Sequence, residues 1–111
     1  MAQPHATSGE VIDVRPLGER LTGAVSTALI KAEQLEIARL VLPAGKELPE
    51  HQTPGEVVVQ CIEGRIEFRS YGKTQVLNPG DLIHLAAQAP HALKALEHSS
   101  LLLTVCLAVT E

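Results

Sequence analysis

"HQTPGEVVVQCIEG", from His51 to Gly64, decides the fold. Within it Glu56–Glu63 reads as a strand, because Val57, Val58 and Val59 run into Gln60, Cys61 and Ile62 with no Pro or Gly between them. Side chains alternate along a strand, so Val57, Val59 and Cys61 share one face and Glu56, Val58 and Gln60 take the other. The first set is wholly apolar and belongs inside. Gly64 supplies a tight turn, and Arg65–Ser70 repeats the pattern, with Ile66 and Phe68 inward against Arg65, Glu67 and Arg69 outward. A hairpin of half-buried strands therefore sits at the centre of the chain.

Outward from that hairpin the rhythm continues. Strands are expected at Val11–Arg15, Ala28–Ala32, Leu35–Leu42, Thr74–Leu77, Asp81–Leu85, His91–Leu96 and Leu101–Val109, punctuated by Gly45, Gly55, Gly72 and Gly80. Short strands at such spacing are the signature of an all-β sandwich or barrel. "ALIKAEQLEIARLVL", Ala28–Leu42, also fits an amphipathic helix, but its Val and Ile and the Pro-Ala-Gly that follows favour strands. In His91–Leu96, placing Lys94 in solvent turns His91, Leu93 and Ala95 inward, beside Val57. Leu101–Val109 is apolar on both faces, so its outer face needs a cover. A second copy, making a homodimer, would supply it; another strand or the N-terminal arm of the same chain is the alternative.

The totals restrict the function classes. A chain of 111 residues suits one domain, read here as a loose polar arm over residues 1–10, with His5 in solvent, and a single β domain over 11–111. The net charge is -4, the lysines and arginines are scattered singly, and one Phe and one Tyr are the only aromatics. That composition offers no stripe for a phosphate backbone and no stacking platform, so nucleic acid is not an expected partner. No membrane is expected either, because the longest apolar run, Leu101–Val109 broken by Thr104, falls far below the roughly 20 residues of a spanning helix. With no basic, apolar leader at the start, cytoplasm is the expected compartment. Cys61 and Cys106 lie in apolar runs and read as small buried hydrophobes. Neither a GxSxG elbow nor a phosphate loop ending in GK[ST] is present.

The glycines, histidines and strand rhythm together resemble a small single-domain cupin, over roughly Ala28 to Leu107. Gly45, His51 and Gly64 match the first cupin motif in spacing, while Thr53 stands at its second His and Val57 at its Glu. Gly80 and His91 match the second motif, with Ala86, Gln88 and Ala95 at its Pro, Gly and Asn positions. The resemblance implies an antiparallel β-barrel or jelly-roll sandwich. It does not choose a chemistry, since cupins include oxygenases, isomerases, epimerases, decarboxylases, binding domains and storage proteins.

In cupins that hold a metal, ligands come from the four matching positions, and here only His51 and His91 are donors. Glu56 is one residue from the Glu position, an offset that turns its side chain to the other face. His84 is the candidate third donor, its parity left open by Leu82 and Ile83. Cys61 lies ~14 Å along the strand from Val57, at about 3.4 Å per residue, and cannot complete the set. Three readings follow, the third a purely structural role as a dimeric accessory protein, which a pocket too small or too filled for a ligand would favour. In the first, the chain binds a small organic molecule in a pocket of His51, Thr53, Val57, Val59, Phe68, His91 and Leu93, the imidazoles fixed by carbonyls or water. In the second, His51, His91 and His84 hold a divalent transition metal (Fe, Mn, Ni or Zn) for oxygenase or isomerase chemistry. The second expects His91→Ala to strip the ion and leave the fold intact. His98 reads as a surface residue, and Arg39 as an outward strand charge with a pocket cation as the alternative.

Overall fold

The computed structural model describes residues 5–107. Nine strands follow a short 3-10 helix, Gly18–Gly23: β1 Thr27–Lys31, β2 Leu35–Leu42, β3 Glu47–His51, β4 Val57–Glu63, β5 Ile66–Ser70, β6 Lys73–Leu77, β7 Leu82–Leu85, β8 His91–Ala95 and β9 Ser99–Cys106. They form two antiparallel sheets, one of five strands in the order β1-β2-β9-β4-β7 and one of four in the order β3-β8-β5-β6. This is the all-β, jelly-roll sandwich the sequence predicts.

The core lies between the sheets and follows the expected parity. Val57, Val59, Cys61, Leu85 and Leu101 from the larger sheet meet Ile66, Phe68, Leu77, Leu93 and Ala95 from the smaller one. Gly64 joins β4 to β5 with φ +86°, the left-handed region that favours glycine. A Cβ there would also collide with the Ser99 side chain and the His98 carbonyl. The turn is thus closed to any other residue without movement of β9.

Two expectations about strands are corrected. Val11–Arg15 is not a strand; it runs across the outer face of the larger sheet, where Val11, Ile12 and Val14 lack a neighbouring strand to pair with. Glu47–His51, not foreseen, pairs with β8 at the edge of the smaller sheet, a place that tolerates Pro49 because an edge strand has ladder positions without partners. Ala108 and Val109, expected in the last strand, lie outside the described residues.

The second face of β9 receives part of its cover from the same chain. Glu63 accepts hydrogen bonds from the backbone N–H of Leu17 (2.9 Å) and Gly18 (3.1 Å) and from the Ser100 hydroxyl. Arg39 points to this outer face, as its parity requires, yet it is buried because the N-terminal segment lies over it and accepts a 2.9 Å hydrogen bond at the Arg15 carbonyl. Further back, Ala6 N–H donates to the Leu29 carbonyl at 2.9 Å. The rest of the face, including Ile37, Val58 and Leu102, is half-buried, and Leu82 is exposed. No helix among the described residues is long and apolar enough to cross a membrane.

Candidate functional site

Neighbouring strands of the smaller sheet bring the two imidazoles together. His51 ends β3, His91 begins β8, and the two are register partners. Their ring centroids are 4.3 Å apart, with the planes inclined by 57°. Each Nδ1 stands 3.0 Å from a carbonyl oxygen two residues upstream, Pro49 for His51 and Ala89 for His91. A carbonyl only accepts, so each Nδ1 carries a proton and donates it. In the neutral rings both Nε2 atoms then keep their lone pairs, the tautomer used by a metal-bound or hydrogen-bond-accepting histidine.

The environment of the two rings differs. His91 is 4% exposed and stacks on Phe68, with centroids 5.8 Å apart and planes inclined by 7°. His51 is exposed. The pair therefore forms the boundary between core and solvent at the mouth of the barrel. The loop before His91 is tied to the segment after His51 by a 2.8 Å hydrogen bond from Gln88 N–H to the Thr53 carbonyl. Gln88, at the cupin motif's Gly position, has φ +64°, so the loop keeps the left-handed turn without the glycine.

The remaining predicted pocket residues do not open onto a deep lumen. Val57, Val59, Phe68 and Leu93 are each at most 3% exposed and pack against one another in the core. Only His51 and Thr53 of the predicted set reach solvent to any extent. Ser70, not among the residues expected at the site, is buried and pairs in register with His91 on the side away from His51. Its signal was the alternation that places Ile66, Phe68 and Ser70 on one face.

His84 does not join the pair. It is the register partner of Val58, which puts it on the outer face of the larger sheet, and its Nε2 lies 2.6 Å from Glu56 Oε1. The structure so corrects the expectation of His84 as third donor, and it shows Glu56 turned outward as predicted. Thr53 donates its hydroxyl to the Gly55 carbonyl at 3.0 Å, and Val57 has no donor atom. The Cys61 thiol is directed to the carbonyls of Glu63 and Gly64, and burial pushes it up to about 11, far from a reactive thiolate at neutral pH. Among the described residues no group of three His, Cys, Asp or Glu side chains is placed to share an ion. The two imidazoles suit a metal, but the set as a whole falls short of the three or more protein donors of a firmly held catalytic ion.

A cupin domain model matches residues 38–107. The chain belongs to the cupin domain family. A conserved protein of unknown function from Streptococcus pyogenes has a similar structure, with 26% identity, 99% of this chain and 97% of that one covered, and a TM-score of 0.75. A cupin superfamily protein from Desulfitobacterium hafniense is similar at 17% identity over 93% of this cupin and 100% of its own chain, with a TM-score of 0.76. The DMSP lyase DddQ from Ruegeria pomeroyi has 26% identity and a TM-score of 0.67, but the match covers 78% of this cupin and only 48% of the lyase. No curated protein matches the chain. The structural neighbours thus include an enzyme as well as proteins without a known role, and the fold alone leaves the choice to the site.

Proposed function

We propose that this cupin binds a small organic molecule at the barrel mouth, against His51 and His91, without a resident catalytic metal. The observation that supports this is the pairing of the two imidazole rings, 4.3 Å between centroids, each held by a backbone carbonyl at Nδ1 so that its Nε2 is left as an acceptor. Two adjacent acceptors over a packed apolar floor favour a ligand that presents hydroxyl or ammonium donors at one end. Since Val57, Phe68 and Leu93 fill the interior, the ligand rests across the mouth and does not enter the lumen.

The reading is tested by titrating the full chain with short hydroxy acids, polyols and amines while following the His51 and His91 ring signals by NMR. Binding that perturbs both rings and is lost in His51→Ala supports it. Stoichiometric transition metal in protein purified without chelator, together with turnover of a small substrate, would favour metal-dependent oxygenase or isomerase chemistry instead. The proposal extends to a homodimer, because Ile37, Val58, Leu82 and Leu102 supply outer-face apolar area that a second copy would cover. Sedimentation at twice the 11.9 kDa of one chain is the expected result, and a monomer at high concentration would refute it.

A further inference from the structure

A cavity of about 470 Å³ lies on the opposite side of the larger sheet from the barrel interior, between the N-terminal segment and β1–β2. This volume is in the range of small-molecule sites, roughly 300–1,000 Å³. Its base is Arg39, whose guanidinium is nine-tenths buried yet makes a single hydrogen bond within the described residues, from Nη2 to the Arg15 carbonyl. A guanidinium has five N–H donors, and leaving them unmet away from water is costly. Nη1 is sealed off, without a hydrogen-bond partner among the described residues, and stands 3.9 Å from Glu63 Oε2. Nε also has no hydrogen-bond partner among the described residues but, unlike Nη1, is not sealed off, and Arg39 lines the cavity.

Charge and polarity on the walls define what would meet those donors. Of the acidic groups there, Asp13 is paired with Arg15 at 3.0 Å, and Glu10 accepts from the Thr7 N–H at 2.8 Å. Arg20 also lines the cavity, and it has no ion-pair partner among the described residues. The rest of the wall is largely aliphatic, with Ile12 and Leu29 half-buried. Val11 and Val25 on its rim are 94% and 76% exposed, the two most exposed large hydrophobics of the described chain.

We propose that this cavity binds a small organic carboxylate with an apolar body, its carboxylate held between Arg39 and Arg20 and its hydrocarbon part covering Val11 and Val25. The fork of a guanidinium matches the two oxygens of a carboxylate, and the aliphatic rim sets such a ligand apart from inorganic anions. The site is separate from the His51–His91 mouth and does not depend on the reading of that mouth.

The test is an NMR and calorimetric titration of the full chain with octanoate, octanol and inorganic phosphate. Octanoate is expected to bind one to one, about tenfold more tightly than octanol or phosphate, as loss of a charged hydrogen bond or of the apolar contact implies. The signals that move should be the methyls of Ile12 and Val25, with the His51 and His91 rings unaffected. Arg20→Gln should weaken binding by roughly fivefold to tenfold, and Val25→Asp should abolish it. Both positions are exposed, so these variants keep the fold where Arg39→Met would endanger it. No octanoate binding, equal binding of octanol or of phosphate, shifts confined to the histidine rings, or full affinity in both variants would each overturn the proposal.

Discussion

His91 lies almost parallel to Phe68, the planes 7° apart and the centroids separated by 5.8 Å, so one face of the imidazole belongs to the hydrophobic core. The ring is thereby a packing element of that core. The expectation that His91→Ala leaves the fold untouched is replaced by a different one. Removing a ring that is 4% exposed opens a cavity over Phe68 and frees the Ala89 carbonyl, and stability to urea should fall by about 1–3 kcal/mol. His51→Ala, at an exposed position, should change it by about 0.5 kcal/mol or less. Equal losses in the two variants would show that the stacking contributes nothing.

The attachment of the N-terminal segment should be sensitive to acid through Glu63. Burial by itself would raise the Glu63 carboxyl, but hydrogen bonds from Ser100 and from the Leu17 and Gly18 N–H groups, with the Arg39 charge, outweigh it and hold the group below its ordinary 4.5. A carboxylate whose folded value is depressed contributes stability that is complete above the unfolded value and is lost as pH falls through the folded one. Stability should therefore begin to drop near pH 4.5 and decline further below it. Glu63→Gln should flatten that acid limb and cost about 1–3 kcal/mol at neutral pH, because a neutral amide is a weaker acceptor for three donors. Chemical unfolding of both proteins across this pH range gives the comparison, and an unchanged acid limb in the variant would exclude Glu63 as its source.

Leu35–Leu42 was legible to the residue as β2, because its apolar run ends at Pro43, and the inward sets Val57, Val59, Cys61 and Ile66, Phe68 followed from period two alone. Glu47–His51 was not, since "ELPEH" has neither β-branched residues nor alternation, and its strand state comes from pairing with β8. The same limit applies at the site. Parity placed His91 inside, but the side on which His84 falls is fixed by its pairing with Val58, a long-range fact that "DLIHL" does not contain. Arg39 shows a third kind of gap: its direction was readable, whereas its burial depends on where residues 15–18 cross the sheet.

Gln88 carries the last prediction. Its φ of +64° places an ordinary side chain in the left-handed region, where a non-glycine residue is disfavoured by about 1–2 kcal/mol. The conformation is kept because Gln88 N–H must reach the Thr53 carbonyl and the turn must close through the 3.2 Å bond from Ala89 N–H to Ala86. Gln88→Gly relieves the strain but gives the unfolded chain more freedom, so the net gain in stability should be about 0.5–1 kcal/mol. Because the side chain is exposed, no packing is lost to offset that gain. The rings of His51 and His91 should keep their NMR positions in the variant, since the backbone bonds that join their two segments are unchanged. A destabilised variant would mean that the glutamine side chain itself holds the loop.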